Sequence, residues 1–581
     1  MEHNLSDKFL QSRGVAGRSR CMIVQRWTEL LNPRTVPSYG TRHLNAHSAL
    51  REMDDLLDLV HDGIIHHLHL EPVREECVEQ LRRDASTIAH FGKHRAQLLR
   101  NLDLLRSDKR SSQLRLKYQL SHGLPRMDES YLEWLLGDIY DALLRDDTAA
   151  SQSILSALAT ELLSMGWSRR ALYESRNLLI EAMGSETGWV DFVNVLTRGT
   201  ATYDCIFLVD NELREDEESA LRKLELSVCG RAELLSRPFY EGRGRDIPAA
   251  RRYLVTAVEA HDPFAALELA EGRLSSALDT LELFRFGGLS IGDNRIVVCA
   301  DQNILRRVDG SQHKWMELPT SFMPVAFDAI AQHMRAPALS SVDKSRYATA
   351  LSYYRMGMQA MESTSRFINL WVALESFCRT PAFEKVIESV VCRIPELLAT
   401  THIYRLVRNY YEDCRRTGVI QLKEIVAVGS NVSSRHVVGQ TVTALLDPCK
   451  QEALGEATDF YSLLRERTLQ MVKLLSDPGS AAAAMRSHRK RLYWHIQRLY
   501  RIRNSIIHTG TTTTNLSTLT VHLQNYVVRT LTLTAADIAS GKATGIDAAL
   551  ERAVDNHEAT VDVLKGGQRI DKRLVLDGAL G

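Results

Sequence analysis

The sequence predicts a mainly α-helical protein in which a small α/β module separates a helical N-terminal region from a C-terminal helical bundle. Apolar residues recur every three or four positions over most of residues 1–200 and again from about residue 325. Residues 203–210 and 295–301 are instead short β-branched or aromatic runs bounded by polar residues and glycine. The chain has 581 residues, more than one core usually supports, so several domains are expected.

Amphipathic helices account for most of the N-terminal region. The helical period is clearest over residues 47–68, 76–105, 129–145, 149–166 and 169–183. Gly166 is expected to end one of these helices, and Ser168 is expected to cap the next.

The predicted module consists of the two strands with a helix between them. That helix covers residues 262–284, and residues 242–248 are expected to form a loop. The C-terminal helices are predicted over residues 346–361, 363–377, 383–400, 461–475, 486–508, 517–533 and 547–564. Residues 510–515 are expected to form a polar loop, and the chain to close on a polar end after its last helix.

Composition and charge restrict the classes of protein to which the chain can belong. Lys+Arg and Asp+Glu both number 72, so any attraction to nucleic acid must come from a local patch. No apolar run reaches the roughly 18 residues that span a membrane, and the first residues lack the apolar stretch of a signal peptide. The 9 cysteines form no C-x-x-C pair, which argues against disulfides and a cysteine zinc site. We therefore expect a cytoplasmic protein without membrane contact, metal or other cofactor.

One C-terminal helix carries an unusual residue on its apolar side. Leu492, Ile496, Leu499 and Ile506 form a stripe at helical spacing, and Arg503 occupies the remaining position of the same stripe. A guanidinium facing a core is costly unless it is paired or functional. This position makes Arg503 a candidate functional residue.

Two further polar residues lie close to this arginine along the helix. Asn504 and His508 are four residues apart and therefore lie on one face. Gly510 is expected to end the helix, which puts His508 in the last turn, where the helix dipole favours imidazolium. Histidine at such a position can accept and donate protons near neutral pH.

The same helix is strongly basic. Seven Lys or Arg residues occur between Arg486 and Arg503, and no Asp or Glu occurs from Pro478 through Ala536. Tyr and Trp side chains are interleaved with these cations, a combination that suits a phosphate backbone with bases available for stacking. The residues expected to contact RNA are Lys490, Arg491, Arg498 and Arg501.

Residues 503–508 read RNSIIH, which resembles the R-N-x-x-x-H motif of HEPN domains. Residues 366–377, RFINLWVALESF, look like the helix that accompanies this motif in the Apea-like HEPN subgroup, and residues 521–531 fit the final helix of such domains. The resemblance covers residues 335–540 and does not reach residues 1–320. Together with the sequence patterns, it predicts a domain division into 1–200 (helical, sensor or regulatory), 201–325 (α/β module), 326–540 (HEPN domain) and 541–581 (helix and tail).

The resemblance also implies an activity. HEPN ribonucleases are metal-independent endonucleases that act as dimers, with two motifs facing one cleft. By this analogy His508 would move a proton at the 2′-hydroxyl or the leaving 5′-oxygen, Arg503 would hold the scissile phosphate, and Asn504 would orient one of them. The product would carry a 2′,3′-cyclic phosphate. Glu375, in the accompanying helix, is expected to fix Arg503.

Many Apea-like proteins act in bacterial defence against phage, where RNA cleavage stops growth, as in abortive infection. The resemblance therefore implies a growth-arresting toxin that acts on RNA as a homodimer. Residues 1–320 are expected either to sense a trigger, such as one derived from phage, or to restrain the activity. In HEPN toxins silenced by a nucleotidyltransferase, a tyrosine follows the histidine by two positions. This chain has Gly510 there, so that form of silencing is not expected.

Other interpretations of the sequence remain open. The HEPN domain could be a catalytically inactive scaffold that binds RNA or a partner protein. Residues 160–178 could form a DNA-binding helix-turn-helix through Arg169 and Arg170. The histidines at 61, 66, 67 and 69, the pair at 90 and 94, and the G-x-S-x-G at 288–292 match no complete metal or nucleophile motif and favour structural roles.

Overall fold

The computed structural model describes residues 5–33, 44–240, 245–283, 289–309, 339–360, 362–429, 432–511 and 516–578, with positions 1, 35, 328, 330–332 and 335. Over these residues it contains 26 α-helices and one five-stranded sheet, which confirms the predicted mainly α fold with a small α/β module. Positions 242–244 and 512–515 of the predicted loops, and Gly288, lie outside the described residues.

The N-terminal region is a helical assembly. Its helices are α1 (Asp7–Ser12), α2 (Arg18–Leu31), α3 (Ala46–His61), α4 (Leu70–Arg83), α5 (Ala85–His90), α6 (Gly92–Asp103), α7 (Arg110–Leu144), α8 (Thr148–Ser164), α9 (Arg169–Glu174), α10 (Arg176–Gly184) and α11 (Glu186–Thr197). The predicted cap is confirmed, because the Ser168 side chain accepts a hydrogen bond from the backbone N–H of Ala171. Helix α7 is longer than predicted and continues through Pro125.

The α/β module is an antiparallel sheet with helices on its faces. Its elements are β1 (Ala201–Val209), α12 (Glu215–Lys223), β2 (Ser227–Cys229), α13 (Arg231–Leu235), β3 (Arg252–Ala260), α14 (Pro263–Glu282), β4 (Ile291–Cys299) and β5 (Ile304–Asp309). The strand order is β2-β3-β1-β4-β5. Tyr203 and Phe207 of β1 pack with Leu267 and Leu274 of α14, whereas Ile206 belongs to the core of the opposite face. This alternation is the period of two expected of a strand.

The remaining elements are again helices. They are α15 (Ser341–Gln359), α16 (Ser363–Cys378), α17 (Val386–Thr400), α18 (His402–Thr417), α19 (Leu422–Val426), α20 (Ser434–Leu446), α21 (Pro448–Ala457), α22 (Ser462–Ser476), α23 (Pro478–Thr509), α24 (Leu516–Ala539), α25 (Ile546–Lys565) and α26 (Lys572–Gly578). Helix α26 corrects the expectation of a polar end, because Val575 and Leu576 are buried.

Two large apolar cores divide these helices differently from the predicted domains. The bundle core is formed by buried residues between 347 and 399 and between 492 and 553, so it includes the start of α25 beyond position 540. Helices α18–α22 and α26 belong instead to the large core of the N-terminal region. The segment between α17 and α23 therefore packs away from the bundle, because its apolar faces meet α2 and its neighbours.

A buried ion cluster joins α22 to α2. Both terminal nitrogens of Arg467, Nη1 and Nη2, donate to the Glu29 carboxylate, at 2.6 and 2.9 Å, and Nη1 also lies 3.3 Å from Asp413. Burial raises the pKa of the Glu29 carboxyl, but Arg467 and Arg26 hold it well below its usual value. The pairing allows these charges to remain inside the core.

The structure corrects the DNA-binding interpretation of residues 160–178. Arg169 is buried, and its guanidinium donates to the carbonyls of Leu30, Leu31 and Asn32 at the end of α2. Arg170 pairs with Glu174 at 3.3 Å. The first of the two arginines expected to contact DNA therefore completes the end of a neighbouring helix.

In the part of the chain that the structure describes, no helix is long and apolar enough to cross a membrane.

Candidate functional site

The predicted site occupies the C-terminal end of α23, a helix of 32 residues. Asp477 caps its start by accepting hydrogen bonds from the backbone N–H groups of Gly479 and Ser480. Gly510 ends it at φ +69°, a left-handed conformation that glycine adopts without strain. Ile506 accepts the last backbone hydrogen bond from Gly510, so His508 lies in the final turn, as predicted.

Arg503 lies between Asn504 and Glu375. Its Nη1 donates to the Asn504 side-chain oxygen at 3.0 Å, and its Nη2 lies 3.8 Å from Glu375 Oε2 on α16. The Arg503 side chain keeps 25% of its surface exposed, and the Glu375 side chain 21%. The structure thus brings together the arginine and the carboxylate that the sequence pairs, in a loose ion pair that leaves part of the guanidinium accessible.

His508 is exposed, unlike Asn504 one turn earlier, which is buried. Among the residues that the structure describes, no hydrogen bond or ion pair engages the His508 imidazole. Ile507 beside it is also exposed. An exposed imidazole and a partly exposed guanidinium on one helix end can serve as a proton-transfer group and an anion-binding group, respectively.

These contacts do not depend on similarity to known proteins. The chain matches no protein-family model, no curated protein and no solved structure. The resemblance of residues 503–508 to the HEPN motif therefore stays a prediction.

Arg498 and Arg501 are placed differently from the prediction that they contact RNA. Arg498 donates from Nε to Glu52 on α3 and from Nη2 to Glu76 on α4, both at 2.6 Å. Arg501 donates from Nη2 to the other oxygen of Glu52. Both arginines are at least 90% buried, so their guanidinium groups join α23 to the N-terminal region and do not face solvent.

The Glu52 carboxylate is the centre of this ion-pair cluster, which consists of Glu52, Glu76, Arg498 and Arg501. Burial by itself raises the pKa of the Glu52 carboxyl, but the adjacent guanidinium groups of Arg498 and Arg501 hold that pKa below its ordinary value. The carboxylate is therefore charged at neutral pH, and the cluster is a buried electrostatic link between α3 and α23.

The other two predicted RNA-binding residues are exposed. Lys490 Nζ lies 3.3 Å from Glu75 on α4 and 4.6 Å from the centre of the Trp494 ring. Arg491 donates to the Ser487 side chain at 2.8 Å. Apart from Arg503 itself, the accessible positive charge of α23 thus lies in its first half, about 20 Å from Arg503 at 1.5 Å per residue.

A second contact between the N-terminal region and α23 involves His69. Its Nδ1 lies 3.1 Å from Gln497 Oε1, and its ring lies 5.4 Å from that of Tyr500. Tyr500 in turn lies 5.9 Å from the buried Trp371 of α16. Burial, with Arg501 nearby, lowers the pKa of His69 to about 4.

We expect this contact to weaken as pH falls. In the unfolded chain the pKa of His69 is about 6.5. Because its pKa in the folded protein is about 4, its contribution to stability is complete above pH ~6.5 and is lost as pH falls toward 4. Replacing His69 by Gln should therefore reduce the drop in urea midpoint between pH 7 and pH 5. His122→Gln, at an exposed position, is the control; an equal drop in both variants would contradict the assignment.

Sequence reasoning missed the acidic side of this interface. Glu52, Glu76 and His69 precede their partners on α23 by more than 420 positions, and no local pattern connects them.

The histidines near residue 66 form no metal site here: within the described residues no group of three or more His, Cys, Asp or Glu could hold an ion.

Proposed function

We propose that the protein is a metal-independent endoribonuclease whose active site includes Arg503, Asn504 and His508. The observation that carries the proposal is the exposed His508 one turn beyond an Asn504 that holds the partly exposed Arg503. A general acid–base group and a cation for the phosphate are what cleavage through the 2′-hydroxyl requires.

In the proposed reaction the RNA supplies its own nucleophile. The 2′-oxygen loses its proton and attacks the adjacent phosphorus, and the bond from phosphorus to the 5′-oxygen breaks. The 5′-oxygen takes up a proton, and the other fragment ends in a 2′,3′-cyclic phosphate. His508 moves one of these protons, and Arg503 stabilises the charge that develops on the phosphate oxygens. Asn504 and Glu375 position the guanidinium.

A homodimer would supply the second proton-transfer group. One chain provides a single His508, whereas removal and delivery of protons on opposite sides of the phosphorus favour two histidines. Ile507, 47% exposed beside His508, offers apolar surface for a second copy. We propose that two α23 helix ends face each other across one RNA strand.

Residues 1–320 are proposed to control this site. The ion-pair cluster and His69 connect α3 and the segment before α4 to α23, within two to six positions of Arg503. A phage-derived trigger that moves these helices would act directly on the helix carrying the motif. A cytoplasmic, growth-arresting role in antiphage defence is part of the same proposal and rests on the resemblance.

The test is cleavage of labelled RNA by the full-length protein in excess EDTA. We expect cleavage that persists under chelation, leaves 2′,3′-cyclic phosphate ends and is lost in Arg503→Ala. The matched control is Arg569→Ala, which removes an exposed arginine between α25 and α26 and should leave cleavage unchanged. Cleavage that needs a divalent ion and ignores Arg503→Ala would refute the proposal. RNA binding without cleavage in any variant would favour the inactive scaffold.

A further inference from the structure

A cleft opens between the N-terminal region and the first half of α23. Its volume is about 430 Å³, and it is lined by Glu75 of α4 and by Arg486, Arg489, Lys490 and Tyr493 of α23. These four α23 residues follow one another at helical spacing, so they share one side of the helix. The cleft is therefore formed by a basic helix surface facing a single acidic side chain.

The charges in the cleft are only partly balanced. Arg489 donates from Nε to Glu396 at 2.7 Å, and Lys490 lies 3.3 Å from Glu75. Arg486 is exposed and forms no ion pair with any residue that the structure describes. Three cations line the cleft, and their two carboxylate partners are Glu75 within the lining and Glu396 outside it. The cleft therefore keeps an excess positive charge that an anion can neutralise.

The Tyr493 ring adds a planar apolar surface to these cations. It is half-buried, and the Arg489 guanidinium carbon lies 5.8 Å from its centre. Aromatic rings in such positions stack with nucleic-acid bases, and arginine and lysine bind phosphate oxygens. A ligand with both a phosphate group and a planar ring fits this lining better than a simple anion does.

We infer that this cleft binds a nucleotide-like small molecule, with its phosphates on Arg486 and Lys490 and its ring on Tyr493. The cleft is separate from the proposed active site, since Lys490 and Arg503 are 13 positions, or about 20 Å, apart along α23. A volume of about 430 Å³ suits a single small ligand. Glu75 competes for Lys490, so the bound phosphate displaces one exposed contact between α4 and α23.

Calorimetric titration of the full-length protein with ATP tests this inference. We expect binding that weakens about tenfold in Arg486→Ala and in Lys490→Ala, since each removes one charged contact to phosphate. Tyr493→Leu should weaken ATP binding about tenfold but leave tripolyphosphate binding unchanged. Lys473→Ala, at an exposed lysine of α22, is the matched control and should bind like the wild type.

Two outcomes would overturn the inference. One is the absence of ATP binding at millimolar concentration, or ATP binding that Arg486→Ala and Lys490→Ala leave unchanged while all variants keep the wild-type melting temperature. The other is cleft-dependent binding of a 2′-O-methyl RNA oligonucleotide without binding of ATP, which would make the cleft part of an RNA path. The result is independent of nuclease activity, because His508→Ala should bind ATP normally.

Discussion

His508→Ala is expected to reduce RNA cleavage by about 10²- to 10⁴-fold, the usual contribution of a general acid–base group. The stability of the fold should not change, because the His508 side chain is exposed and forms no described hydrogen bond. The loss should therefore appear in the rate of the chemical step and not in the amount of folded protein. Single-turnover cleavage with the protein in saturating excess over the RNA, together with a thermal melt, measures both quantities.

His436→Ala is the control for this experiment. His436 is also exposed and helical, near the start of α20. Its loss should leave cleavage within about twofold of the wild-type rate, the change expected of a surface substitution away from the site. Cleavage that survives in His508→Ala at the wild-type rate would remove His508 from the proposed mechanism.

Glu52→Ala is expected to destabilise the protein by about 3–5 kcal/mol, as removal of one partner from a buried ion pair usually does. Arg501 loses its carboxylate contact in the ion-pair cluster, whereas Arg498 retains Glu76. The uncompensated guanidinium of Arg501 then lies in a buried environment between α3 and α23. The free energy of unfolding in urea measures the effect.

Two further variants separate charge from packing. Glu52→Gln keeps the size of the side chain and should lose less stability than Glu52→Ala. Glu71→Ala removes the partner of Arg74 on α4, where both side chains are partly exposed, and should cost no more than about 1 kcal/mol. Equal, small losses in Glu52→Ala and Glu71→Ala would show that the ion-pair cluster contributes little to the stability of the interface.

The helical part of the fold was predictable because its signals are local. Apolar residues at three- and four-residue spacing predict α16, α23 and α24, and Gly510 predicts the end of α23. The strand β3 has apolar residues on both faces and no simple alternation, and β2 has only three residues, so neither was predicted. Their identity depends on pairing with β1, which the local sequence does not contain.

The candidate site likewise has one part that the local sequence predicts and one part that depends on tertiary structure. Arg503, Asn504 and His508 lie within six positions of one helix, and their proximity follows from helical geometry alone. The burial and the ion pairs of Arg498 and Arg501 depend instead on Glu52 and on packing between domains. From sequence alone, a basic helix face predicts contact with solvent or nucleic acid. Only the tertiary structure shows that acidic side chains of the N-terminal region cover part of this face.

Because the two large cores interleave along the chain, the C-terminal helices determine when each core can be completed during translation. The bundle core includes residues of α25, and the large core includes residues of α26, so neither core is complete until the ribosome has synthesised these helices. At about 5–20 residues per second, that takes on the order of 30–120 s. Nascent chains that stop before residue 546 lack part of the bundle that supports Arg503. The helices around Arg503 can therefore pack completely only after α25 has been translated.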